Sequence, residues 1–163
     1  MKLLSVLRDI NKTDIWFRRD VFIENAQVYS NFCSSLLQGG GYFSVVDRVS
    51  PFDGGYTSTG WSEQWAKIPC EIVQIADWLG TNVRYYMNSR ECHGLTHLRI
   101  YRCEEGTRSL LYSRQSFAAW QPPTPDDFAA YTADGTIVCF VNRHEDELYV
   151  RKGFDFERML VGC

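Results

Sequence analysis

The triplet Gly39-Gly40-Gly41 divides the chain into two kinds of pattern, and that division limits the folds open to it. Before it, from Asp14 to Leu37, the apolar residues Phe22, Ala26, Tyr29, Cys33 and Leu36 recur at helical spacing. The three glycines stop that helix and release a strand over Tyr42 to Val49. They lack the spacing and the following helix of a dinucleotide or phosphate loop. Downstream, Pro51 to Gly55 is a turn in which Asp53-Gly54-Gly55 supply the unusual backbone angles. A second helical region runs from about Trp61 to Leu79, broken near Pro69 and capped by Gly80. Strands then dominate over Val83–Met87, Leu98–Cys103, Ser109–Arg114, Thr136–Asn142 and Glu147–Arg151. Pro122 to Asp127 reads as a loop leading into a short helix. Helices first and strands later predict an α+β domain.

With 163 residues and no repeat, dividing linker or low-complexity segment, the chain reads as one domain over residues 1–163. A hydrophobic content of 45% argues for a packed core and against disorder. The formal charge of −3 gives no support to a nucleic-acid or anionic-membrane partner, and no apolar run reaches the length of a membrane span. Met1-Lys2-Leu3-Leu4 begins like a secretion signal but meets Arg8 and Asp9 after a few apolar residues, so the expectation is a protein acting in the cytosol. The six cysteines are scattered without paired spacing and read as reduced core residues, as Cys139 does within Ile137 to Val141. Cys92, His93, His97 and Cys103 do not reproduce a zinc-finger spacing, and no metal is expected.

Three islands carry chemistry. Near the C-terminus, Glu145-Asp146-Glu147-Leu148 stands at the mouth of a strand. Strand side chains alternate faces, so Glu145 and Glu147 point the same way and share one site. Like charges that close repel, and a fold that holds them together usually has a cation, a proton or a substrate between them. In the middle, Gly55-Tyr56-Thr57-Ser58-Thr59-Gly60-Trp61 places hydroxyls on a short extended segment before a helix. Thr59 or Ser62 could equally be a helix cap there, with Glu63 nearby. At the start, Arg8 could hold a phosphate by paired hydrogen bonds or form a surface ion pair.

Taken in order, the early Arg8, the Tyr56-Thr57-Ser58-Thr59 segment and the late Glu145-Asp146-Glu147 resemble the signature of the mono-ADP-ribosyltransferases. The likeness is to the branch of cholera toxin, heat-labile enterotoxin and pertussis toxin catalytic chains. Glu147-Leu148, then Gly153-Phe154-Asp155-Phe156 and Met159, follow the rhythm that closes the pattern there. Gly60 replaces the third hydroxyl, and no Arg-Pro-Pro-like continuation follows Arg8, so Arg18, Arg19 or Arg48 could take its role. The resemblance implies two packed, strongly twisted sheets with flanking helices and a helix-rich N-terminal half. It also implies NAD as co-substrate, a protein substrate modified at arginine, and a toxin or effector setting with a possible immunity or activator partner.

The implied roles follow the chemistry of glycosyl transfer. Breaking the ribose–nicotinamide bond develops positive charge on the sugar, as in an oxocarbenium ion. Glu147 would accept from the ribose 2′-hydroxyl and stabilise that charge, and Glu145 would position or deprotonate the acceptor. Ser58 would orient Glu147 and, with Thr59 and Tyr56, seat the nicotinamide ribose, while Arg8 would hold the phosphates. The competing reading is a small acidic cytosolic binding protein, an immunity protein or inhibitor without catalytic activity. Under it the Glu145–Glu147 cluster is an acidic hairpin tip facing a basic partner.

Overall fold

Asn25 begins the first helix: its side-chain oxygen accepts from the Val28 backbone N–H at 2.9 Å, which meets one of the orphan donors of the first turn. The helix α1 runs Ala26–Gln38 and buries Val28, Tyr29, Phe32, Cys33 and Leu36 along one stripe. It ends at Gly39; Gly40 takes a left-handed φ of 62°, and a Cβ on Gly41 would lie 2.2 Å from the Tyr131 carbonyl oxygen. The triplet therefore does two jobs, turning the chain and letting it pass against a neighbouring strand. This is a computed structural model, and it describes residues 16–48, 65, 67–75, 96–121, 126–142, 146–156 and 158.

Seven strands are described: β1 (Trp16–Arg18), β2 (Tyr42–Arg48), β3 (Glu71–Ile75), β4 (Thr96–Arg102), β5 (Asp126–Tyr131), β6 (Ile137–Asn142) and β7 (Glu147–Arg151). They form one sheet in the order β1-β7-β6-β5-β2-β4-β3, with every neighbouring pair antiparallel. A second helix, α2 (Glu105–Tyr112), packs beside α1. Tyr29 donates to the Leu111 carbonyl at 2.9 Å, and the Ser34 and Tyr112 hydroxyls meet at 2.6 Å, so the two helices are joined by named polar contacts. The fold is α+β, and among the described residues no helix is long and apolar enough to cross a membrane.

The core is aromatic. Phe128 of β5 stacks on Trp120 with ring centroids 5.3 Å apart and on Phe43 of β2 at 6.0 Å. Phe32 of α1 meets Phe117 edge-on at 5.3 Å. Cys33, Cys103 and Cys139 are buried and free, and burial raises all three thiols, Cys33 to about 12. Raised that far, they stay protonated and pack as small apolar groups.

Four stretches depart from the sequence expectation. The helix expected from Asp14 is preceded by β1 and a 3-10 turn at Asp20–Phe22, because Trp16, Phe17 and Arg18 pair with Arg151, Val150 and Tyr149 of β7. Inside the expected second helix, Glu71–Ile75 is β3, drawn into the sheet by β4. The expected strand Ser109–Arg114 is instead occupied by α2 and the residues after it. There Glu104 and Thr107 close a capping box, and Leu110 and Leu111 are buried. The short helix expected after Pro122 is β5, whose Ala129 and Ala130 pair with Phe140 and Cys139. The strand Val83–Met87 and the turn Pro51–Gly55 lie outside the described residues. Among the described residues the strands form one sheet, and β1, β2 and β3 lie in the N-terminal half beside α1; two packed sheets and a helix-rich N-terminal half are not seen there.

An ion pair lies buried between β2 and β4. Asp47 accepts from Arg99 Nε at 2.7 Å, with side chains 5% and 12% exposed. Desolvation works against the Arg99 charge, but the bond to Asp47 overcomes it and raises its pKa; burial and the Arg99 charge lower that of neighbouring His97. Asp47→Ala should destabilise the fold by about 1–3 kcal/mol, since it removes a charge-assisted partner from a largely desolvated guanidinium. Urea unfolding of the two proteins measures this, and an unchanged midpoint would mean that water reaches Arg99.

Candidate active site

Pairing in the sheet sets one face at its β1-β7-β6 end. In β7, Leu148 and Val150 are buried while Glu147, Tyr149 and Arg151 are half-buried, as period-two alternation requires. Antiparallel partners share a face. The register places Asn142 opposite Glu147, Phe140 opposite Tyr149, and Arg18 on the other side of Tyr149. Trp16 meets Phe140 edge-on at 4.9 Å and Phe140 stacks on Tyr149 at 4.8 Å, giving this face an aromatic strip beside its charges.

Glu147 is the centre of the charged part. Its Oε1 lies 3.0 Å from Arg18 Nη1; its Oε2 accepts from the Tyr149 hydroxyl at 2.8 Å and from Asn142 Nδ2 at 3.4 Å. Its side chain is only 16% exposed, against 57% for Arg18. A carboxylate offers about four acceptor positions, so three donors leave one. Asp146, with φ at 54°, makes the turn that brings the chain into β7 at this point. The burial and hydrogen bond of Tyr149 to Glu147 raise its phenol above the ordinary value, which keeps it a donor.

Asp20 supports the arrangement from the turn after β1. Its Oδ1 accepts from the Leu148 backbone N–H at 2.9 Å and its Oδ2 from Arg18 Nε at 2.9 Å. Arg19 N–H donates to the Leu148 carbonyl at 2.7 Å, which completes the tie of this turn to β7. Burial pulls the Asp20 carboxyl up, but the Leu148 N–H and the Arg18 guanidinium together bring it below its usual value, and the Asp20 hydrogen bond in turn raises Arg18. A depressed carboxyl contributes stability above its unfolded pKa, near 4, that is lost as pH falls through the folded value. Asp20→Asn should therefore cost about 1 kcal/mol at neutral pH and narrow its gap to the native protein below about pH 4. Urea midpoints against pH measure it, and parallel curves would remove the role assigned to Asp20.

Of the residues expected at the site, Glu147 is described and is held on this face. Arg8, Tyr56, Ser58, Thr59 and Glu145 lie outside the described residues. So does the Arg48 side chain, while Arg19 sits over the Phe17 ring at 5.1 Å. Of the alternative arginines, Arg18 contacts Glu147. Asp20 went unnoticed because its partner Leu148 lies 128 residues away, and the bond of Asn142 to Glu147 depends on the β6–β7 register, whereas Tyr149 stands two residues from Glu147 on the same strand face, an alternation that could have found it. No group of three residues suited to a metal occurs among the described residues. Two cavities lined by described residues lie elsewhere, one between α1 and α2 and one at the far end of β7. Comparison with known family models, with curated proteins and with solved structures finds no match to this chain.

Proposed function

We propose that this chain is a NAD-dependent mono-ADP-ribosyltransferase, a glycosyl-transferring enzyme that modifies a protein at arginine in a toxin or effector setting. The observation that supports it is the Glu147 carboxylate, oriented by Arg18 of the first described strand with one acceptor position left over. An oriented carboxylate beside a sugar stabilises an oxocarbenium-like transition state without having to reorganise. In this reading Arg18, not Arg8, is the signature arginine: it fixes Glu147 and offers guanidinium N–H groups for a phosphate. Ser58, Thr59 and Tyr56 seat the nicotinamide ribose, and Glu145 aligns the acceptor guanidinium. The reading supposes two packed twisted sheets, of which the described strands supply one. It is tested by incubating purified protein with NAD and an arginine-rich protein acceptor. Nicotinamide release with ADP-ribose on the acceptor is the expected result; no release and no NAD binding would end the reading.

A second reading is a small acidic binding protein, an immunity protein or inhibitor. The same network favours it, because three donors from the chain itself use most of Glu147, as in a carboxylate that merely joins strands. A partner captured at the Glu147 edge, without NAD turnover, would decide for it.

A further inference from the structure

The loop after α2, residues 113–116, is fastened at both ends. The Ser113 hydroxyl donates to the Leu110 carbonyl at 2.6 Å, and Ala118 N–H, in the 3-10 turn Phe117–Ala119, donates to the Ile23 carbonyl at 3.0 Å. Between them the Arg114 side chain is half-buried, its guanidinium 5.4 Å from the Trp120 ring centroid. A ring face attracts a cation from above but accepts nothing along its N–H edge. Arg18, Arg99, Arg108 and Arg158 each face a carboxylate. Arg114 does not: its side chain has no ion pair or hydrogen bond among the described residues, and its Nε is shut from solvent without an acceptor. Burial works against the charge and lowers its pKa, yet an arginine stays protonated. Ser116, two residues on, is buried, and its hydroxyl makes no capping bond to the turn that it precedes.

A half-buried cation without a counter-charge is costly until an acceptor reaches it. The geometry points to a carboxylate-binding site on Arg114, in which the two oxygens of the ligand take parallel hydrogen bonds from the guanidinium edge and the Ser116 hydroxyl donates a third. The planar fork matches a carboxylate in shape. It matches in charge as well, since one guanidinium neutralises one carboxylate, whereas a phosphate dianion would leave excess charge in a half-buried place. The site does not depend on the transferase reading. Trp120, under Arg114, belongs to the core that also holds Leu148 and Val150, while Glu147 alternates to the other face of β7.

The test is a titration of the full chain with acetate, succinate, a blocked Glu-Glu dipeptide, inorganic phosphate and chloride at constant ionic strength. Nitrogen–proton NMR follows the Arg114 Nε–H, the Trp120 indole N–H and the Ser116 amide. Saturable shifts of these three with a carboxylate, weaker with phosphate and absent with chloride, are the expected result. Saturation by acetate or succinate would assign the site to small acids; saturation by the dipeptide alone would assign it to an acidic segment of a protein partner. Arg114→Lys keeps the charge but loses the fork and should weaken binding at least about tenfold. Ser116→Ala removes one neutral donor and should weaken it about fivefold. No saturation by any carboxylate up to about 50 mM, phosphate bound more tightly than carboxylate, or affinity untouched by Arg114→Lys would overturn the assignment.

Discussion

Under the transferase reading, Glu147→Gln should lower nicotinamide release from NAD by about 10²–10³-fold while leaving a cooperatively folded protein. Glutamine matches glutamate in size and keeps one carbonyl oxygen for Asn142 or the Tyr149 hydroxyl, so the loss falls on charge and on the ribose contact. Because Glu147 also joins β1 to β7 through Arg18, the urea midpoint is needed beside the rate. A large rate loss at nearly constant stability marks a residue acting on the reacting sugar; a midpoint that collapses with the rate marks a strand-joining one. Arg18→Lys separates the roles further: it keeps a positive charge but loses the fork that serves Asp20 and Glu147 together. Under the transferase reading its rate should fall between native and Glu147→Gln. Under the same reading, which puts Glu145 on the acceptor side, Glu145→Gln should impair transfer to the acceptor more than NAD hydrolysis. Full turnover in Glu147→Gln would remove the enzyme reading and leave the acidic binding protein.

How far the sequence reaches can be judged from particular elements. The stripe Tyr29, Cys33 and Leu36 and the glycine stop locate α1, because helical period and backbone freedom are local properties. Glu147–Arg151 is legible as a strand for the same reason, its apolar residues falling at alternate positions. Local rules fail where tertiary pairing decides. Trp16–Arg18 becomes a strand only because β7 is there to bond it, and Glu71–Ile75 only because β4 is. The stretch 105–112 fails differently: its capping box reads Glu-x-x-Thr in place of the usual Ser/Thr-x-x-Glu order, so the helix start is disguised. At the candidate site, Glu147 stands out in the sequence as an acidic residue at a strand mouth. Its support does not, since Asp20 reaches Leu148 across 128 residues and Arg18 reaches Glu147 across a sheet register.

The largest stability effect should come from Trp120→Ala. Trp120 is fully buried, lies nearly parallel to Phe128 at 5.3 Å and 20°, and tilts against Phe43 at 6.3 Å. Its indole N–H donates to the Tyr29 hydroxyl at 3.0 Å, and the Tyr29 O–H in turn donates to the Leu111 carbonyl at 2.9 Å. The half-buried Arg114 guanidinium stands 5.4 Å from the ring, and burial lowers its pKa, so the ring face is its compensating contact. Truncation thus opens a cavity between the sheet and the helices, removes a buried donor from Tyr29 and uncovers a cation, for a cost of about 3–5 kcal/mol. At this chain length that lowers the melting temperature by roughly 6–20 °C. Tyr29→Phe isolates the polar part: it keeps the ring, leaves the indole N–H and the Leu111 carbonyl without their shared partner, and should cost about 1–3 kcal/mol. If the double variant loses less than the sum of the two, Trp120 and Tyr29 act as one unit fastening α1 and α2 to the sheet. A single loss below about 1 kcal/mol for Trp120→Ala would show that the aromatic cluster closes over the gap and does not depend on this ring.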